Sequence, residues 1–281
     1  KNIPAKSIAA YSDTLYAIFE KYLSHVASAG YRSYPDISLF DHSRTVAAIA
    51  LAKEYAGAVE KPFILIHGDI SGIQNFIYKI SSGDSSGTKK MAKRLRGRSF
   101  YINLLTDTIT SLIIDHLDLF MANILFSGGG NFIILSQNTT EANEKLDLLE
   151  KEINKYLFTK FKGDLGIIIS KACFDEKFFS DYSGAIDHVM EINNENKSKK
   201  YYNILEDIFE VQIPNAKNTL DVCPICQSDE EKNYIKTYGQ CKKCEEHTYI
   251  GRDLLRTDYI LKIKAKDISP ELRLEYKIVS F

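Results

Sequence analysis

Residues Leu125–Ser136 read LFSGGGNFIILS, two short apolar runs on either side of three consecutive glycines, Gly128, Gly129 and Gly130. Apolar runs around glycine make a tight hairpin, because glycine reaches positive φ without a Cβ clash. The hairpin commits this part of the chain to antiparallel sheet, whose apolar face must be covered by another layer. A hairpin needs one or two glycines. A third implies that the backbone stays bare so that something can approach, a nucleotide first of all. The bland alternative is that the glycines only turn the chain.

The flanking segments extend this sheet. FILIHGDI (Phe63 to Ile70) is a compact apolar run read as a buried strand, followed by SGIQNFIYKI with Ile73, Phe76, Ile77 and Ile80 at helical spacing. SSGDSSGT (Ser81 to Thr88) has loop composition, and a helix is expected from Ser99 to Leu119. Past the hairpin, Thr140 to Phe161 is strongly helical in period, and DLGIIISKACF (Asp164 to Phe174) is strand-like. The order is β-α-β-β-α-β with an extra helix, which predicts an α+β, ferredoxin-like (βαββαβ) domain. Ahead of it, Ile8, Tyr11, Leu15, Ile18, Phe19, Tyr22 and Val26 predict one apolar helix face, and Asp41 is the expected N-cap of a second helix. Behind it, helices are expected at Asp181 to Asn193, at Lys199 to Phe209 and in DLLRTDYI, then strands in LKIKA and LRLEYKIVSF.

Four of the five cysteines form two C-x-x-C pairs, Cys223 with Cys226 and Cys241 with Cys244, fourteen residues apart. Two such knuckles deliver four thiolates to a tetrahedral zinc, and four protein ligands leave no open position, so the metal is expected to be structural. An unmetallated or redox C-x-x-C fits two matched knuckles less well. Cys173 lies in an apolar strand and is expected to be a small buried side chain.

HGDISGIQ sets Asp69 at a strand end, with Ser71 and Gly72 opening a helix whose free N–H groups suit a phosphate. In a ferredoxin-like sheet the first strand lies beside the hairpin. Asp69, Ser71 and Gly72 together with Ser127, Gly128, Gly129, Gly130 and Asn131 therefore form the candidate nucleotide cradle. Two-metal chemistry needs clustered carboxylates, and the turn supplies none, so no catalytic residue is assigned. The plainer reading is that Asp69 only caps the helix.

The segment KKMAKRLRGRSF holds Lys89, Lys90, Lys93, Arg94, Arg96 and Arg98, a candidate contact for RNA phosphates or a neighbouring subunit, against the alternative of a solvated charged face. The formal net charge of -1 confines any nucleic-acid contact to such a local patch. Histidines give no pattern: Asp41-His42, Asp115-His116 and Asp187-His188 all run Asp before His, so no HD dipeptide occurs. No apolar run nears the ~18 residues of a membrane span. KNIPAKSIAAYSD lacks a signal-peptide core, and a start at Lys1 points to a piece of something longer, in a cytoplasmic setting.

SLFDHSRTVAAIA, HGDISGIQNFIY, KRLRGRSFYINLL, SGGGNF and the double C-x-x-C occur in one order, and together they resemble the large subunit of type III CRISPR effector complexes, most like the Csm (III-A) type. The resemblance implies an HD nuclease domain for single-stranded DNA, two cyclase-like palms with a zinc domain between them, and a helical domain. In that family the second palm bears GGDD and joins ATP into cyclic oligoadenylate when target RNA is bound. The HD and GGDD motifs are absent here. The chain then corresponds to a helical linker (1–60), the first palm (61–175), a helical segment with the four-Cys zinc domain (176–250) and the approach to the second palm (251–281). Ser127 to Asn131 would help seat one ATP, with Mg or Mn held by acids of the second palm, and the implied partners are other subunits, crRNA and target RNA. The alternatives are a free-standing nucleotide cyclase and a zinc-clipped RNA-binding scaffold.

Overall fold

The computed structural model describes residues 8–28, 34–79, 88–210, 222–228, 232–262 and 276–279. It is a mixed helix and antiparallel-sheet fold, divided into two compact units: Lys1–Asp69 with Ile109–Glu150 and Ile168–Lys200, and Ile70–Thr108 with Lys151–Ile167 and Tyr201–Phe281. The elements in chain order are α1 (Ile8–Leu23), α2 (Leu39–Ala56), β1 (Phe63–Ser71), α3 (Ile73–Tyr78), α4 (Thr88–His116), β2 (Ile124–Gly128), β3 (Asn131–Gln137), α5 (Thr140–Phe161), β4 (Gly166–Phe174), α6 (Tyr182–Lys197), α7 (Leu205–Glu210), α8 (Lys232–Tyr238), α9 (Lys242–Asp253), β5 (Tyr259–Lys262) and β6 (Tyr276–Val279). Among the described residues, no helix is long and apolar enough to cross a membrane.

The four-stranded sheet has the order β2-β3-β1-β4. β1 and β3 run antiparallel from Phe63↔Gln137 to Asp69↔Asn131, and β2 pairs β3 antiparallel up to Gly128↔Asn131. In the first unit, Phe63 and Leu65 of β1 pack with Leu135, Ala172, Ala48 and Ala52 of α2, and Ala185 and Val189 of α6. Ile64 and Ile66, on the opposite face of β1, are also fully buried, so β1 is apolar on both faces. Asn123 is buried and donates to Leu135 O at 2.8 Å and Ala48 O at 3.4 Å, which ties α2 to β3. α2 is capped by Ser38, whose hydroxyl accepts from Asp41 N at 3.0 Å, so the helix begins three residues earlier than an Asp41 cap would place it. The apolar face predicted for α1 is largely in solvent: Ile8, Tyr11, Ile18, Phe19 and Tyr22 are exposed. Cys173 is exposed rather than buried, because β4 is an edge strand and position 173 alternates away from the core residue Ala172.

In the second unit α4 starts at Thr88, so the basic run is helical rather than a preface to a helix at Ser99. Gly97 lets α4 meet α9 backbone to backbone, since a Cβ there would lie 1.8 Å from His247 O, while one on Gly251 would lie 1.7 Å from Lys93 O. α9 starts within the second cysteine pair, with Cys241 as its N-cap and Cys244 in its first turn, and ends at Asp253, so DLLRTDYI becomes the last residue of α9, a 3₁₀ turn at Leu254–Arg256 and the start of β5. The run from Lys199 is helical only as a 3₁₀ turn at Tyr202–Ile204 and α7. The loop read at Ser81 to Thr88 lies outside the described residues except Thr88.

Gly68 marks the tightest point of the first unit. Its Cβ would meet the Phe132 ring at 1.9 Å, with that ring fully buried. Gly68→Ala is expected to destabilise the chain by about 1–3 kcal/mol through overpacking. Urea unfolding followed by tyrosine fluorescence reads this, and an unshifted midpoint would mean that Phe132 has room to move.

Candidate functional site

The sheet end carrying Asp69 is built by period. β1 points Phe63, Leu65, His67 and Asp69 to one face, and α6 carries Ala185, Val189, Asn193 and Lys197 at four-residue spacing. The first two of each set pack in the core. Beyond them Asp69 Oδ2 accepts from Asn193 Nδ2 at 3.3 Å and pairs with Lys197 Nζ at 2.9 Å. Asn193 is oriented by Ser170, whose hydroxyl donates to Asn193 Oδ1 at 3.3 Å while accepting from Asn196 Nδ2 at 3.2 Å. His67 is buried among these groups, and among the described residues neither ring nitrogen makes a hydrogen bond of regular geometry, although the Asn193 and Asn131 side chains lie near it. Burial lowers its pKa, against the opposing pull of the Asp69 charge. Sequence reasoning gave no role to His67, Asn193 or Lys197. The α6 pair sits in the polar stretch after an apolar period, and only the i, i+4 register carries them to Asp69.

Asp69 stands opposite Asn131, which in turn pairs Gly128, so the carboxylate and the glycine turn share one end of the sheet. The turn itself uses Gly129 at φ +63° and Gly130 at φ +93°. Gly128 lies in the strand, and the nearest atom to a Cβ there is Phe126 Cζ at 3.7 Å, ordinary contact. The chain therefore requires two of the three glycines and leaves the third unexplained by its own packing. Ser127 pairs Phe132 on the same hairpin.

Ser71 and Gly72 belong to the second unit. The Ser71 hydroxyl donates to Gly166 O at 3.3 Å. Gly72 adopts φ +88° at the N-cap of α3, where a Cβ would lie 1.9 Å from Asp164 O. Both serve the backbone there, and Asp69 caps no helix, since α3 has no side-chain N-cap bond.

The four cysteines converge: their Sγ atoms all lie within 4.8 Å of one another. Cys223, Cys241 and Cys244 are buried, with Ile225 and Ile235 packed around them. Cys241 caps α9, and its backbone N–H donates to Cys223 Sγ at 3.3 Å. Hydrogen bonds from Cys226, Cys241 and Cys244 pull the Cys223 thiol far down, while contact with Cys223 pushes Cys244 far up. Four sulfur donors this close together could hold a metal ion.

The basic run does not present one cationic face. Arg94 and Arg98 are 1% and 3% exposed. Arg96 donates from Nη1 to Gly251 O at 2.9 Å, and Arg98 Nη1 donates to the carbonyls that end α3. Lys90 is exposed, Lys93 is half-buried and the Lys89 side chain lies outside the described residues.

An α+β protein with a polar, glycine-edged sheet end and a four-sulfur cluster is the class these features define. A family described as Csm1 subunit domain B matches residues 62–214, more than half of the chain. The chain belongs to that family. It is 34% identical over 240 residues to the CRISPR system single-strand-specific deoxyribonuclease Cas10/Csm1 (subtype III-A) of Methanocaldococcus jannaschii, covering 71% of this chain and 29% of that protein. To the protein of the same description from Streptococcus thermophilus it is 29% identical over 280 residues, covering 89% of this chain and 35% of the relative. Among solved structures, the Csm1-Csm4 subcomplex in the type III-A CRISPR-Csm interference complex matches 91% of this chain and 32% of its own at TM-score 0.64 and 27% identity. A Csm1-Csm4 cassette in complex with one ATP matches 71% of this chain and 28% of its own at TM-score 0.62 and 33% identity. The chain thus spans about a third or less of the length of these relatives. The resemblance drawn from the motifs holds.

His247, in α9, is buried, with edge-to-face rings at 5.5 Å (Phe76) and 5.3 Å (Tyr101). Burial, then the charges of Arg98 and Lys160, push its pKa from 6.5 down to about 3. Above pH 6.5 it is neutral in both states and costs nothing. Below that, the unfolded chain takes up a proton the folded chain refuses, so stability is lost as pH falls toward 3. At about pH 5.5 the expected loss from this group is about 1.4 kcal/mol. Denaturation midpoints at pH 7.5 and 5.5 read it, with His247→Phe expected to flatten the difference; an equally steep variant would place the proton uptake elsewhere.

Proposed function

We propose that this chain is the central part of the large subunit of a type III-A CRISPR effector, supplying a palm that helps seat ATP but performs no chemistry alone. The observation that carries this is the register setting Asp69 opposite Asn131 beside Gly128, a glycine that the chain's own packing does not need. The family match and the ATP named in a structural relative agree with it. The strand order β2-β3-β1-β4 supports the ferredoxin-like palm over 61–175. The rest of the reading is a helical linker at 1–60, a helical segment with the four-Cys zinc domain at 176–250 and the approach to a second palm at 251–281. The acids that hold Mg or Mn belong to that second palm. RNA and neighbouring subunits are reached through the assembled cytoplasmic complex, where, among the described side chains of the basic run, Lys90, Lys93 and Arg96 are the cations that are not buried.

The four-sulfur donor set fits zinc, whose preferred sites are tetrahedral and thiolate-rich. Cys223, Cys226, Cys241 and Cys244 would hold it, and a closed site of this kind contributes to folding rather than to catalysis. Elemental analysis of the purified chain is expected to find one zinc per chain, and chelation to unfold the segment around α8 and α9. A metal-free chain of unchanged stability would remove the zinc.

Gly128→Ala separates the ligand reading from a merely structural turn. Stability is expected to stay within about 0.5 kcal/mol, since nothing crowds the position. ATP affinity of the full-length subunit, by calorimetry, is expected to fall at least tenfold. Unchanged affinity would remove the glycine turn from the site. The isolated chain with ATP and Mg²⁺ is expected to form no oligoadenylate; product would favour the free-standing cyclase.

A further inference from the structure

The buried arginine of LRGRSFY has no part in the nucleotide reading. Arg98 Nη1 lies 3.1 Å from Phe76 O, 3.2 Å from Ile77 O and 3.0 Å from Lys79 O, at the end of α3. Its guanidinium sits 5.8 Å from the centroid of the Phe76 ring. Among the described residues it forms no ion pair with a carboxylate, and its Nε has no hydrogen-bond partner. A buried cation held only by neutral dipoles is under-compensated and calls for a negative charge.

The remaining nitrogen supplies the direction. Arg98 Nη2 lies 3.8 Å from Cys244 Sγ, within reach of a hydrogen bond to sulfur. Four thiolates around one divalent ion leave the cluster with net negative charge, in a site whose sulfurs are mostly buried. Lys243, between the second pair of cysteines, donates to Lys160 O at 2.8 Å and adds a further cation beside it. The surroundings are therefore cationic where the loaded cluster would be anionic.

We infer that Arg98 is a positioning residue of the four-cysteine metal centre: it donates to the Cys244 thiolate, balances the cluster's charge and ties the metal to the C-terminal end of α3. The inference rests on the zinc reading of the cluster. α3 has six residues, too few to hold itself as a helix, and Arg98 satisfies its last carbonyls. Metal loading and the ordering of α3 are thereby coupled through one side chain. A role confined to capping α3 would leave the sulfur's electronic state untouched.

The test uses the whole chain, zinc-loaded and cobalt-substituted, with Arg98→Gln, Arg98→Lys and, as a control on the same helix, Arg96→Gln. Zinc release to a colorimetric chelator is expected to rise 10–100-fold in Arg98→Gln, the usual effect of removing such a partner, and less in Arg98→Lys. The thiolate-to-cobalt charge-transfer band is expected to move to lower energy in both Arg98 variants and to stay in place in Arg96→Gln. Release within twofold of the native chain together with an unmoved band would overturn the inference. Should Arg98→Gln fail to fold, Arg98→Lys, which keeps the charge, decides the matter by the same two readings. A native chain that takes up neither zinc nor cobalt would overturn the metal reading itself, before any variant is compared.

Discussion

The pairing of β1 with β3 fixes more of this protein than any other interaction. Its register sets Phe63 against Gln137 at one end and Asp69 against Asn131 at the other. A slip of one residue would send Leu65 and His67 to the opposite face and carry Asp69 away from α6. The same register requires Gly68 beneath the Phe132 ring, where any Cβ would collide. Backbone hydrogen bonds thus hold the core, the polar end and the glycine turn in one frame.

That polar end has a consequence for how a ligand would be met. Asp69 is engaged by Lys197 and Asn193 of its own chain, and His67 is buried beside them. The carboxylate is a partly buried acid whose charge is already balanced, unlike the paired carboxylates of a two-metal site. The proposed role asks no more of it, since metal-bound chemistry there belongs to other residues.

The four cysteines pose the opposite problem, too much like charge in one place. Four sulfurs within 4.8 Å of one another would repel as thiolates, which is the arrangement a bound cation would offset. Knuckle spacing made the cluster legible, since two C-x-x-C pairs have few other uses. The hairpin, the long α5 and the strand-helix order were legible for a similar reason: period and glycine placement are local signals. Boundaries were less so, as at α2, where Ser38 rather than Asp41 is the cap, and at α4, which continues back through the basic run.

The sequence by itself determined the elements that rest on local chemistry: a glycine hairpin, apolar strands, a periodic helix and paired cysteines, along with the motifs that mark the family. Only the tertiary structure decided the fate of individual charges. Arg94 and Arg98 read as surface cations and are buried, Cys173 reads as core and is exposed, and Lys197, to which the sequence assigns no role, holds Asp69. The reason is physical. Composition states what a side chain carries, but whether a charge meets water, a carbonyl or a carboxylate depends on residues far away in the chain, and these are brought near only by packing.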